Sequence, residues 1–273
     1  MAGGANRTVR LLLADVDGTL LDPEKRLTGR AVEAARRLRE AGVALALVSG
    51  RPPQGMRMLV EPLALTTPLA AFNGGLIVSP DGAPLLSQPL AGPLAEEVVE
   101  VLAGAGVAIW LYRPEGWYLQ ERGGAHVARE EGTVQFAPQV VERFDGLLDQ
   151  VVKVVGVSDR EEELHAAHRE LAARLGDAVS ASRSQPYYLD VTHPRANKGF
   201  VLEWLAGRLG IDPGQVAAIG DMPNDVLMFE RAGLAIAMGN APPAVKRAAD
   251  VVTEPNTAEG FAEAVERFVL VGG

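Results

Sequence analysis

The sequence predicts an α/β protein: a doubly wound, mostly parallel, Rossmann-like sheet core with an inserted α+β cap domain. Three observations predict it. Short apolar runs that stop at a polar residue or glycine alternate with longer stretches of helical period, the pattern of parallel strands buried beneath helices. That pattern occurs once near the start of the chain and resumes near its end. In between, from about residue 83 to about residue 189, strand candidates are richer in aromatic residues and alternate more clearly, which suggests a separate α+β unit. The expected division is therefore a core made of 1–83 and 190–273 and a cap made of 84–189.

Each element follows from local chemistry. The first strand is expected over 9–14. Thr28 then caps a helix whose apolar face is Ala31, Val32, Ala34, Ala35 and Leu38, and Gly42 stops it. Strands follow at 43–48 and 69–72, and Gly74, Gly75, Pro80 and Gly82 supply an exposed exit at which an insertion is tolerated. The inserted stretch carries helices at 94–103 and 161–175 and strands at 107–112 and 117–119. The core pattern returns with a helix at 199–209, a strand at 216–219, a helix near 225–232, a strand at 234–237 and a final helix ending near Phe268.

Composition narrows the function classes. The chain has 273 residues, 48% of them hydrophobic and 22% charged, enough for one large domain or two modest ones. A net charge of -9 and the lack of any dense Lys/Arg tract argue against nucleic acid as a partner. With no cysteine, disulfides, thiolate nucleophiles and Cys-type zinc sites are all excluded. The apolar run after Arg10 is interrupted by Asp15 and Asp17, too early for a signal peptide, and no stretch approaches the ~20 apolar residues of a membrane helix. A cytoplasmic location is expected, with no membrane partner.

Four segments carry candidate chemistry. Asp15-Val16-Asp17-Gly18-Thr19 follows a buried strand directly, and residues two apart on an extended chain point the same way. Two carboxylates at the carboxyl end of a strand can divide nucleophilic attack from proton exchange, and Gly18 lets the backbone pass close to a phosphate. The triplet alone reads equally well as a strand end with two solvated aspartates. Ser49-Gly50-Arg51 ends another strand and offers a hydroxyl and amides to a phosphoryl oxygen, although a capping serine before a turn looks the same. Gly50 and Gly55 have the glycine spacing of a P-loop, but Met56 stands where that loop requires lysine, so a nucleotide site of that kind is rejected.

Lys198, just before the helix at 199, can bring a cation to the sheet edge. Gly220-Asp221-Met222-Pro223-Asn224-Asp225 places a further carboxylate at a strand end, and Asn224 and Asp225 can hold Asp221, water or Lys198, or simply cap the next helix. Any one of these segments is ordinary. Four of them delivering phosphate-competent or metal-competent groups to the same edge of one sheet favour a common site.

With these motifs in that order, the sequence resembles the haloacid dehalogenase superfamily, and within it the Cof-type phosphatases that carry a large α+β (type IIB) cap. Asp15 and Asp17 match the first family motif, Ser49 the second, Lys198 the third, and Asp221 with Asn224 and Asp225 the fourth. Phe72-Asn73-Gly74-Gly75 resembles the usual exit to the cap, and the stretch from Ala237-Met238-Gly239-Asn240-Ala241 to Ala249-Asp250 resembles the subgroup's tail. Ser49 stands where relatives often carry threonine, and the hydroxyl is kept.

The resemblance implies a phosphatase acting on a small phosphorylated metabolite. Asp15 would be the nucleophile and Asp17 the general acid that later activates water. Mg2+ would be held by the Asp15 carboxylate, the Asp17 main-chain carbonyl and Asp221. Ser49, the Gly50 amide, Arg51, Lys198 and Asn224 would bind phosphate, with Asp225 in support. Four acidic groups around a phosphate dianion require a divalent cation and Lys198 to offset them. Arg113, Arg122, Arg183 and Tyr187 are cap side chains able to meet a polar substrate, although an ordinary exposed residue without a role is the favoured account of each. His165 and His168 lie three apart on a helix but lack a third ligand, so a solvated face is favoured over a metal site. Two rival readings are a sugar phosphomutase on the same scaffold and a receiver or binding module phosphorylated on aspartate. Asp17 argues against the receiver, because an acid/base beside the nucleophile shortens the life of an acyl phosphate.

Overall fold

The computed structural model describes residues 8–270; positions 1–7 and 271–273 of the expected core segments, and the start of the basic stretch before Arg10, lie outside the described residues. Five strands come first: β1 (Leu11–Asp15), β2 (Ala44–Val48), β3 (Leu69–Ala71), β4 (Leu76–Val78) and β5 (Pro84–Ser87). Six more follow: β6 (Ala108–Arg113), β7 (Gly116–Leu119), β8 (Gln139–Val140), β9 (Lys153–Val157), β10 (Ser180–Gln185) and β11 (Tyr188–Thr192). The last three are β12 (Val216–Gly220), β13 (Leu234–Ala237) and β14 (Val251–Val252). The helices are α1 (Gly29–Glu40), α2 (Gly92–Gly104), α3 (Val127–Val134), α4 (Glu161–Leu175), α5 (Lys198–Leu209), α6 (Val226–Phe229), α7 (Pro243–Arg247) and α8 (Gly260–Ala264).

The core sheet has eight strands in the order β14-β13-β12-β1-β2-β3-β4-β5. Pairing is parallel from β14 to β3 and antiparallel from β3 to β5. β1 lies between β12 and β2, and all five of its residues are buried, which is why it reads as an unbroken apolar run. Alternate residues of β1 serve opposite faces. Leu12 and Ala14 pack with Ala31, Ala34, Ala35 and Leu38 of α1 and with Phe261 and Ala262 of α8. Leu11 and Leu13 pack with Val201, Leu202 and Leu205 of α5 and with Met228 and Phe229 of α6. Helices on both faces make the sheet doubly wound, as expected.

Capping explains where the two long core helices begin. The Thr28 side chain accepts a hydrogen bond from the Ala31 amide at 3.2 Å, and that of Asn197 accepts one from the Phe200 amide at 2.9 Å. Two expected helices are shorter or less regular than their periodicity suggests. The one near 225–232 is a 3-10 turn, Pro223–Asp225, followed by the single turn of α6. The last helix passes from α8 into a π-helical turn at Val265–Val269.

A second sheet of six strands, ordered β10-β11-β9-β6-β7-β8, forms the inserted cap. Its pairs are antiparallel except β7 with β8. One face packs Leu111, Val154 and Leu189 against Val98 and Leu102 of α2 and Leu164 and Leu171 of α4. The other face presents Trp110, Tyr112, Trp117 and Tyr188 to the same cluster as the core residues Met56, Leu59 and Phe72. The cap sheet is thus seated on the core through its aromatic side. Among the described residues, no helix is long and apolar enough to cross a membrane.

Candidate active site

The parallel strands deliver their carboxyl ends to one edge, as open α/β sheets do. Asp15 ends β1, Ser49 to Arg51 follow β2, and Asp221 follows β12. Lys198 opens α5 on the neighbouring side and is 2% exposed. Its Nζ donates to Asp15 Oδ1 at 2.6 Å and to Asp225 Oδ1 at 2.5 Å. The other Asp225 oxygen accepts from the amides of Asp221 at 2.9 Å and Met222 at 2.7 Å. Asp225 therefore holds both the lysine and the turn that carries Asp221.

One carboxylate oxygen from each of Asp15, Asp221 and Asp225 lies within 4.8 Å of the others, and all three residues are buried. Burial pushes the Asp15 carboxyl well up; Lys198 pulls it back, and the charges of Asp225 and Asp221 add to the rise. Burial and then Asp225 push Asp221 up to about 6. Burial alone would lower Lys198, but the charges of Asp15 and Asp225 outweigh it and hold the ammonium above its usual value. Three buried carboxylates thus share one buried lysine. Hard oxygen donors in excess of positive charge fit a divalent cation of the magnesium type.

Asp17 is positioned differently from Asp15. The regular strand ends at Asp15, so the rule for an extended chain stops there, and the next residues turn, with Leu20 and Leu21 amides both donating to the Val16 carbonyl. Arg51 grips the Asp17 carboxylate with Nε to Oδ2 at 2.6 Å and Nη2 to Oδ1 at 2.7 Å, and Lys25 Nζ donates to Oδ1 at 2.6 Å. Burial pushes Asp17 up, but the bonds and charge of Arg51, with Lys25, outweigh it and hold the carboxyl below its usual range. Its carboxylate is not among the three that converge.

Backbone geometry makes these approaches possible. Gly18 has a φ of 84°, and a Cβ there would overlap the Asp221 carboxylate. A Cβ on Gly220 would likewise overlap Asp225. Ser49 Oγ accepts from the Arg51 amide at 3.1 Å, and its carbonyl accepts from the Asn73 amide at 2.8 Å. Phe72 and Asn73 both adopt left-handed backbone, with φ of 50° and 55°, an arrangement rare outside glycine that recurs at functional sites.

Asn224 does not reach Asp221 or Lys198; its Nδ2 approaches Asn73 Oδ1 at 3.4 Å, and Asp225 takes the lysine instead. Three contributors escaped the sequence reading as site residues. Thr19 Oγ1 donates to Asp221 Oδ1 at 3.2 Å. Asn240 Nδ2 donates to Asp221 Oδ2 at 3.1 Å and to the Gly18 carbonyl at 2.9 Å. Asn73 supports Ser49 and faces Asn224 as described. Asn240 follows β13, a parallel strand, so the same carboxyl-end rule could have found it. Arg113, Arg122 and Arg183 pair with Glu115, Glu131 and Glu161 respectively, while Tyr187 stacks on His126 with ring centroids 3.8 Å apart.

The family model for haloacid dehalogenase-like hydrolases matches residues 12–265, nearly the whole chain and every strand end just described. The chain belongs to the haloacid dehalogenase-like hydrolase family. It is similar to a hydrolase of this family from Bacteroides thetaiotaomicron, with a TM-score of 0.86 and 30% identity over 95% of this chain and 99% of the other. It is also 31% identical over 234 residues to the HMP-PP phosphatase of Cronobacter sakazakii, covering 86% of this chain and 85% of the relative. A further relative, the pyridoxal phosphate phosphatase of Escherichia coli, is 30% identical over 268 residues, covering 94% of this chain and 97% of its own. The family is the one the sequence motifs resemble, and haloacid dehalogenase-like hydrolases with a capped sheet of this kind share the whole architecture rather than a fragment of it.

Proposed function

We propose that this haloacid dehalogenase-like hydrolase is a magnesium-dependent phosphatase that cleaves a small organic phosphate monoester through an aspartyl-phosphate on Asp15. The observation that carries the reading is the buried Lys198 bridging Asp15 and Asp225, with Asp221 in the same carboxylate group. The relatives named above act on two different phosphorylated compounds, which supports a small phosphorylated metabolite as the substrate without choosing one.

The Asp15 carboxylate attacks phosphorus in line, and the ester oxygen departs with a proton from Asp17. Asp17 then takes a proton from water, whose oxygen attacks the acyl phosphate; inorganic phosphate leaves and the Asp15 carboxylate is restored. Asp15, the Asp17 main-chain carbonyl and Asp221 would hold Mg2+, with Asp225 beside them. The ion would supply charge neutralisation, letting a phosphate dianion sit among carboxylates. Ser49, the Gly50 amide and Lys198 hold the phosphoryl oxygens, with Asn224 and Asn73 alongside. Arg51 and Lys25 hold Asp17 in its ionised form, so delivering the first proton requires that grip to loosen. Residues 88–192 act as the cap that excludes bulk water and the chain on either side acts as the catalytic core; these bounds are moved from the expected 84–189 because β5 pairs within the core sheet and β11, to Thr192, within the cap sheet.

The test is phosphate release from a panel of phosphate monoesters with and without magnesium. Chelation should stop release and added magnesium should restore it, with no bisphosphate activator needed; a requirement for such an activator would indicate phosphoryl transfer between hydroxyls instead. Asp15→Asn is nearly isosteric, so it should abolish turnover while the thermal unfolding curve stays close to that of the parent. Turnover retained in that variant would overturn the assignment.

A further inference from the structure

Among the described residues the chain passes between core and cap twice: through residues 88–91, between β5 and α2, and through residues 193–197, between β11 and α5. Each passage holds one proline, Pro89 and Pro194, whose ring fixes φ and stiffens the link. Gln88 opens the first passage and is 7% exposed. Its amide donates to the Gly75 carbonyl at 2.8 Å, extending the pairing of β5 with β4, whereas the Leu90 amide donates to the Val151 carbonyl of the cap, also at 2.8 Å. The Gln88 side chain reaches further. Its Nε2 donates to the Gly74 carbonyl at 2.9 Å and to the Arg195 carbonyl, in the second passage, at 3.1 Å.

Both carbonyls belong to segments that carry the phosphoryl site. Gly74 follows Asn73, whose amide holds the Ser49 carbonyl at 2.8 Å. A Cβ on Gly74, which has a φ of 104°, would overlap the Val201 side chain, so this turn lies directly on α5, the helix that Lys198 opens. The Arg195 carbonyl also accepts from the Asn197 amide at 3.0 Å, and Asn197 caps α5. One buried amide group therefore links the turn behind Ser49, the cap of the Lys198 helix and both passages to the cap domain. Two carbonyls satisfied separately would let their segments shift independently; a single planar amide bonded to both fixes the distance between them.

We infer that Gln88 is a positioning residue for the phosphatase reaction, one that sets the spacing of Ser49 and Lys198 and the placement of the two passages together. This role rests on the phosphatase reading and adds to it a route between the site and the cap. A phosphoryl group held by Ser49 and Lys198 draws on the turn at Gly74 and on the start of α5, and Gln88 joins both to the passages. Coupling of this kind is reciprocal: a filled phosphoryl site stiffens the passages, and stiffened passages favour the filled site.

The experiment follows amide hydrogen exchange by mass spectrometry in the full-length protein, with and without magnesium and orthovanadate, a phosphate analogue. In the parent, filling the site should slow exchange in peptides spanning 88–91 and 193–197 as well as at the strand ends. Gln88→Met keeps the length of the side chain and removes both donors. In that variant the slowing in the passages should shrink about fivefold or more while that at the strand ends persists. Its kcat per folded enzyme should fall roughly tenfold, with KM changing less than about twofold. Gln88→Asn keeps the amide but is one methylene too short to reach both carbonyls; it should lie between the two proteins, and it serves if Gln88→Met folds poorly. No slowing in the passages of the parent, equal slowing in parent and variants, or a lower melting temperature with unchanged kinetic constants would overturn the inference while leaving the phosphatase reading intact. A parent enzyme that turns over no phosphate monoester with magnesium would overturn both.

Discussion

At the scale of single residues, Asp225 does more than a helix-capping aspartate. It is fully buried, and its two oxygens hold Lys198 on one side and the amides of Asp221 and Met222 on the other. Removing it leaves a buried ammonium with one partner in place of two and two amides with none. Breaking a buried pair in this way costs about 3–5 kcal/mol. Asp225→Ala should therefore lose about that much stability by urea denaturation; a loss below about 1 kcal/mol would show that the lysine is satisfied elsewhere. Lys198 and Asp221 were legible in the sequence because each follows a regular signal, a helix start and a buried strand. Thr19 and Asn73 were not, because what recruits them is the meeting of separate backbone segments at the Asp221 carboxylate and at Ser49, which no local pattern records; Asn240, just after β13, was within reach of the carboxyl-end rule.

At the scale of elements, the site depends on two tight crossings at strand ends. Gly220 closes β12 where the Asp225 carboxylate fills the space a Cβ would take. Gly220→Ala should force the turn and Asp225 apart, costing about 1–3 kcal/mol as an overpacked site does and slowing turnover more than it weakens substrate binding. A thermal melt with steady-state kinetics checks both; parental values for each would show that the turn yields freely. The parallel strands β1, β2, β12 and β13 and the helices α1 and α4 were readable because burial on both faces gives unbroken apolar runs and amphipathic period gives helices. Other elements lacked such marks. β5 is mostly exposed, β10 is a polar edge strand reading Ser-Ala-Ser-Arg-Ser-Gln, and β9 begins with a buried lysine and contains a glycine. Their strand character comes from pairing with neighbours, which apolar periodicity does not report.

At the scale of the whole molecule, two sheets meet so that the aromatic face of the cap lies against the core near the strand ends. That places the Asp15, Asp221 and Asp225 carboxylates in a region where charge is poorly screened, and pH then acts through them. Asp221 is pushed up to about 6 by burial and Asp225. Its folded pKa lies above the value near 3.9 of an unfolded aspartate, so the folded metal-free protein binds more protons, and this group's contribution to stability falls as pH rises from about 4 through 6. A bound cation reverses that loss by stabilising the ionised form. The rise in melting temperature on adding magnesium should accordingly be larger at about pH 7.5 than at about pH 5; an equal or opposite trend would place the ion away from Asp221.

Everything in the catalytic scheme requires Asp15 to carry the phosphoryl group in passing. Rapid acid quench of the enzyme with a phosphate-labelled substrate, followed by peptide mapping, measures that directly. Label should accumulate on the peptide containing Asp15 in the parent protein and be absent in Asp15→Asn. Steady turnover with no covalent label at Asp15, or label on another side chain, would contradict the account.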